Sequence, residues 1–245
     1  MTTLTLPSAG KKTRIRSGFT LVELIVVIGI IAIMVAAVAP GLTDVIRAAR
    51  LTSAGDQIIG RIGLAQQQAL SLNSPVELRF YSYQDARDGS GRSKIRAMQL
   101  VELLNDAAVS SLAGGGQGLA ADLTQRVLNE PVYMESGVEI SSDPNLSPLL
   151  ANLVEDQSNT FSVSGAKYAA LVFYPDGSFK LRGSSGALAG SAAELNVTTP
   201  TLAQSYFTIG ESREFDSRAS GGDAPANYYC IQLDSYTSKS RTYRP

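Results

Sequence analysis

Glu23 is the side chain that most needs a chemical partner. It is the one ionisable group between Arg16 and Asp44, and no polar side chain follows it from Leu24 to Ala39. A carboxylate inside a hydrocarbon layer costs about 2.5–3.5 kcal/mol on insertion scales. Two arrangements relieve that cost. The carboxylate can snorkel to an interface from a position near a helix start, or it can meet a cation. No Lys or Arg occurs between Phe19 and Arg47. The available cation is then a new α-amino group, created if the chain is cut just before Phe19.

Elsewhere the chemistry is limited by missing residue types. The chain has no histidine, no tryptophan and one cysteine. Ser-His-Asp and Cys-His catalysis in their usual forms are excluded. So are most zinc sites and any disulfide framework within the chain. There is no phosphate-cradling G-x-x-x-x-G-K-[ST] loop, and the serines cluster with glycine away from any base. Cys230 falls in an apolar strand pattern and reads as a buried, inert thiol. Asp85, Asp88 and Ser90 have the composition of a cation loop, but Arg87 and Arg92 intervene and EF-hand spacing is absent. Asp216, Asp223 and Asp234 make no better set. No cofactor, no metal and no enzymatic activity are expected. After Asp234 come Lys239, Arg241 and Arg244, with Tyr236 and Tyr243 interleaved and no acid. That tail is either a solvated strand end or a contact for a few DNA phosphates.

These groups are carried on a 245-residue chain that is 44% hydrophobic and 18% charged, which is a globular composition. Its net charge of −1 excludes a general nucleic-acid-coating protein. The average conceals a division. Residues 1–18 carry Lys11, Lys12, Arg14 and Arg16 and no acid, which leaves 17 basic against 22 acidic residues in the remainder, a net of −5. Phe19 to Leu42 is the most apolar stretch. As a helix its 24 residues span roughly 36 Å, enough for a bilayer core of about 30 Å. A buried core helix seldom stays apolar on every face for this length. A conventional signal peptide would have small residues after its apolar core, and Pro40 spoils that site. The four cations place residues 1–18 in the cytoplasm and send the body outward.

The ordered set Ser17-Gly18-Phe19-Thr20-Leu21-Val22-Glu23-Leu24 resembles the cleavage and methylation motif of type IV pilins and type II secretion pseudopilins. The resemblance covers the basic leader, the Gly, the Phe after the cut, the Glu at the fifth position beyond it, and the apolar helix. Pro40 also sits where many pilins have a proline. The resemblance implies that prepilin peptidase cuts between Gly18 and Phe19 and N-methylates Phe19. It implies that Glu23 pairs with the Phe19 amine of an adjacent subunit during assembly. Partners would be the peptidase, other pilins or pseudopilins, the inner-membrane assembly platform and lipid. Each buried charge is costly alone and tolerable when the other arrives, so the pair would set axial register. Pro40-Gly41 is read as a helix kink, either a membrane-exit feature or something more specialised.

Beyond Leu42, Thr43 or Asp44 is expected to cap a new turn. Leu51, Ala54, Ile58, Ile62, Ala65, Ala69 and Leu72 then form one narrow apolar stripe suited to docking on a sheet. Gly55, Gly60 and Gly63 on this helix either permit close approach or are merely tolerated. Asn73-Ser74-Pro75 ends the helix. Pro75 to Tyr83 reads as a half-buried strand, Asp85 to Gly91 as a turn, and Ile95 to Leu104 as the returning strand, with 100–104 ambiguous with helix. Tyr168 to Tyr174, the turn Pro175-Asp176-Gly177-Ser178 and Phe179 to Arg182 form a hairpin. Tyr206 to Ile209, Tyr228 to Leu233 and Thr242-Tyr243 are further strands. Short helices are expected near 119–128 and 148–154, and small-residue loops at 110–121, 183–193 and 217–226.

The expected fold class is α+β: a long N-terminal helix, transmembrane then amphipathic, packed on an antiparallel sheet of five to eight strands. The expected boundaries are a leader at 1–18, a membrane segment at 19–42, an amphipathic half at 43–74 and a periplasmic β-rich domain at 75–245. Residues 65–76 and 173–178 resemble the H-type (FimT-like) minor pseudopilin body. The longer inserts resemble those of the pilin-like cassette protein D group of verrucomicrobial genomes. These resemblances imply a pilin-like subunit of a periplasmic filament at the bacterial inner membrane. A minor pilin that holds DNA or an exported substrate through its C-terminal region is the alternative.

Overall fold

Helix α1 runs from Leu21 to Leu72, 52 residues, in a computed structural model that describes residues 19–86, 89–104, 125–156, 160–182, 197–217 and 224–245. The side chains of 37–43 and the leader 1–18 lie outside the described residues. The helical backbone continues through position 40, and no second helix starts at Thr43 or Asp44. A helix already running supplies carbonyls to those N–H groups, so there is nothing to cap. The stop is the one the sequence predicts. Asn73 takes a left-handed φ of 48°, the Ser74 N–H bonds the Ala69 carbonyl, and Pro75 follows.

The chain divides into two compact units, residues 1–45 and 46–245. In the first, the apolar side chains from Leu21 to Val35 are exposed. Among the described residues no helix is long and apolar enough to cross a membrane. The described side chains of the apolar run stop at residue 36, short of the 19–42 segment expected to span one.

In the second unit the predicted stripe is the helix face that meets the sheet. Leu51, Ala54, Ile58, Ile62, Ala65 and Ala69 are each no more than 2% exposed, with Leu72 at the margin. The three glycines separate here. A Cβ on Gly55 would lie 2.6–2.8 Å from three ring atoms of the buried Tyr229, whereas Gly60 and Gly63 face open space. Gly55→Ala should therefore destabilise the domain by about 1–3 kcal/mol through overpacking. Gly60→Ala and Gly63→Ala should stabilise it by about 0.5–1 kcal/mol each. Urea denaturation of the three variants checks both signs.

The strands are β1 (Val76–Gln84), β2 (Ser93–Leu103), β3 (Gln125–Val127), β4 (Val132–Tyr133), β5 (Val138–Ile140), β6 (Val154–Glu155), β7 (Lys167–Phe173), β8 (Phe179–Arg182), β9 (Val197–Thr198), β10 (Tyr206–Glu211), β11 (Tyr228–Leu233) and β12 (Ser240–Tyr243). All pairings are antiparallel. The order is β12-β11-β10-β5-β2-β1-β7-β8-β9, with β3 and β4 also on β2 and β6 on β7. Twelve described strands exceed the five to eight expected. The surplus consists of two- and three-residue bridges, too short to show a period.

Several local expectations are corrected. Residues 125–127 form β3 rather than a helix, while 119–124 lie outside the described residues. Pro148–Leu150 is one 3-10 turn, and Val154 opens β6. The ambiguous 100–103 is strand. A five-residue helix α2 (Ser212–Asp216) follows β10. The loops at 110–121 and 183–193 and residues 218–223 lie outside the described residues.

The largest correction concerns β1, which is buried on both faces. Val76, Leu78 and Phe80 face the helix core, yet Glu77, Arg79 and Tyr81 are also 0% exposed. On that second face Tyr81 clusters with Val154, Phe161 and Ala166, beside Ala97, Tyr168 and Ala170 of the neighbouring strands. Alternation marked a polar face correctly; it carried no information about what lies over that face.

Candidate functional site: the start of the long helix and the C-terminal strand

The helix start is built by Thr20. Phe19 and Thr20 are non-helical, and the Thr20 Oγ1 accepts the Glu23 N–H at 3.2 Å. The Thr20 carbonyl accepts the Leu24 N–H at 3.1 Å. Thr20 is therefore the N-cap and Glu23 the third residue of the helix, the Thr-x-x-Glu spacing of a capping box. That signal is legible in the sequence, and composition-led reading passed over it. The cap holds Glu23 in the first turn, where the helix dipole favours a carboxylate. Phe19 stays 77% exposed and Glu23 is exposed too. Gly18 lies outside the described residues. At Pro40 the structure describes the helical backbone alone.

The body holds two ionic clusters that sequence reading did not single out. In the first, the Arg79 side chain is 0% exposed. Its Nε donates to Glu77 Oε2 at 2.7 Å, Nη1 to Thr160 Oγ1 at 3.0 Å and Nη2 to Gln125 Oε1 at 2.6 Å. Its guanidinium lies 4.5 Å from the Tyr168 ring centre. Arg182 Nη1 reaches the other Glu77 oxygen at 2.5 Å. Burial by itself would lower the Arg79 pKa, but the Glu77 carboxylate holds it above the ordinary value. Burial pushes the Tyr168 hydroxyl up to about 12. All three Arg79 nitrogens and both Glu77 oxygens have internal partners, so the cluster reads as a structural tie across β1, β3 and β8.

The second cluster joins β2, β5 and α2. Arg92 bonds Glu139 at 2.7 Å and Asp216 at 2.6 Å, and Lys94 bonds Asp216 at 2.9 Å. Burial would raise Asp216, but hydrogen bonds from Lys94 and Arg92 hold it below the usual carboxylate range. Burial raises Glu139. Asp216 is thus tied to two cations. Among the described residues no group of three or more Cys, Asp and Glu could hold a metal ion. Asp88 and Asp223 lie outside the described residues. The Asp234 carboxylate accepts the N–H of Tyr236 at 2.9 Å and of Thr237 at 3.3 Å. Cys230 is half-buried rather than buried, and desolvation raises its thiol.

The C-terminal cations do not form one row. Lys239 and Arg241 are exposed and line a concavity of about 290 Å³ beside the β11–β12 turn. Arg244 instead donates to Thr52 Oγ1 on α1 at 2.8 Å. The Gln66 amide likewise donates to the Ser238 carbonyl at 2.5 Å. The chain end is thereby fastened to the amphipathic half of α1.

Comparison with known proteins finds the prokaryotic N-terminal methylation motif over residues 13–39. No curated protein and no solved structure matches the chain. The matched segment holds the Gly18–Phe19 bond, the Thr20 cap and Glu23. An α+β body of pilin-like fold thus carries, at its head, the prepilin-type N-terminal cleavage and methylation motif.

Proposed function

We propose that this chain is a structural subunit of a type II secretion or type IV pilus-like filament. Residues 19–42 anchor it in the bacterial inner membrane, with the leader cytoplasmic and the body periplasmic. Prepilin peptidase cuts between Gly18 and Phe19 and methylates the Phe19 amine. Glu23 then pairs with the Phe19 amine of an adjacent subunit as the filament grows.

The methylation motif at residues 13–39 carries this reading. The geometry adds a reason for the spacing. Thr20, the second residue after the cut, caps the helix and holds Glu23 in its first turn, at the end of the helix where the new amine would form. Mass spectrometry of the membrane form from a peptidase-competent host is the test. The expected chain starts at an N-methylated Phe19; one still starting at Met1 overturns the proposal.

The H-type minor subgroup rests on two stretches. One is the helix end at 65–76 that leads into β1; the other is the 173–178 turn between β7 and β8. The cassette protein D likeness rests on insert length alone. A second reading, capture of DNA or an exported substrate at the C-terminal region, is favoured by the exposure of Lys239 and Arg241 beside the concavity.

A further inference from the structure

Strand β12 is the last strand of the sheet order, and among the described residues only β11 pairs with it. The direction of its backbone groups follows from register. The Asp234 N–H bonds the Lys239 carbonyl at 3.0 Å, which makes 234 and 239 a bonded pair. Antiparallel ladders alternate, so Gln232–Arg241 and Cys230–Tyr243 are the next bonded pairs. Ser240 and Thr242 therefore turn their N–H and C=O away from β11. That edge is a template for one more strand.

The side chains along it define what that strand would be. Lys239 and Arg241 are exposed; Asp234, which also lines the concavity, keeps its charge but is held by two N–H groups of its own turn, so the cations there outnumber it two to one. The adjoining concavity adds an apolar contact from Leu202 and hydroxyls from Thr237 and Ser240. Leu202 is 68% and Tyr236 80% exposed, two large side chains standing in solvent at this end. We propose that the β12 edge and its concavity take an extended acidic peptide segment of another protein, added as a further strand. Backbone bonds to Ser240 and Thr242 would set its path, and Lys239 and Arg241 would select its carboxylates.

A second copy is the poorer occupant for the edge, because its own β12 brings the same cations and like charges repel. Duplex DNA is also disfavoured. Arg244 is engaged with Thr52, which leaves two cations, and a duplex uses neither the strand edge nor an apolar contact.

The proposal rests on the pilin-type reading only for placing β12 outside the membrane. The test uses the purified full chain in detergent and a fluorescein-labelled peptide of alternating Glu and Val. That peptide should bind, and the double substitution Lys239→Glu with Arg241→Glu should weaken it roughly tenfold or more. Thr242→Pro removes one outward N–H without touching a β11 bond, and should abolish binding at an unchanged melting temperature. Should that variant not fold, the same peptide N-methylated on alternate backbone nitrogens should fail to bind the unaltered chain. Equal binding of a Lys–Val peptide, insensitivity to charge reversal, or retention of the N-methylated peptide would each overturn the proposal. So would a short DNA duplex or a second copy of the chain displacing the peptide at lower concentration. Intact mass reads maturation at Gly18–Phe19 separately, so either idea can fail alone.

Discussion

Replacing Arg79 with alanine will cost the body about 3–5 kcal/mol of unfolding free energy, the penalty for leaving a buried charge without its partner. Glu77 would remain fully buried with Arg182 as its one cation, and Gln125, Thr160 and the Tyr168 ring would lose their common partner. A domain is stable by only about 5–15 kcal/mol, so this loss should be visible as a large drop in the urea midpoint. The control is a graded set of apolar replacements. Glu77→Leu with Arg79→Met strands Arg182 and should recover only part of the loss. Adding Arg182→Leu removes the whole ionic set and should recover most of it, because buried ion pairs are often replaceable by apolar groups of similar volume. Single and triple variants of equal stability would show that the cluster is not coupled.

Glu23→Ala should leave cleavage at Gly18–Phe19 intact and remove the subunit from filaments. If each subunit interface neutralises a carboxylate costing about 2.5–3.5 kcal/mol in hydrocarbon, losing the pair should lower incorporation roughly hundredfold. Sheared-filament fractions quantified against the membrane pool give the readout. Glu23→Gln separates charge from capping: it retains a capping-box side chain but has no charge to offer an amine. Thr20→Ala makes the complementary change, since it loses the Oγ1 bond to the Glu23 N–H and keeps the carboxylate. Incorporation that follows Thr20 instead of Glu23 would mean that helix geometry, not ion pairing, controls assembly.

The two sites differ in how far they could be read from sequence. Glu23 was legible because a lone carboxylate in an apolar run is physically conspicuous whatever the fold. The stripe from Leu51 to Leu72 was legible for a similar reason, since a helix repeats every 3.6 residues and its apolar face must be covered. Asn73 before Pro75 announced a left-handed stop, and the φ of 48° bears it out. The Thr20 cap was also legible from the Thr-x-x-Glu spacing. Arg79 was not. Alternation in Val76 to Tyr83 separates two faces, and Glu and Arg on one of them ordinarily mean water. Gln125 and Thr160, 46 and 81 residues away along the chain, turn that face into an interior.

The sequence alone therefore determined the features that depend on neighbours along the chain: the motif around Gly18–Phe19, the long helix and its end, and the main hairpins. Tertiary structure alone decided which polar residues are buried, which of the three helix glycines meets an aromatic ring, and which strands end the sheet among the described residues. The physical reason is range. Periodicity, capping and turn chemistry act over a few residues. Burial, ion pairing and strand order are set by segments that meet only when the chain is folded, and two- or three-residue bridges leave too short a pattern to announce the meeting.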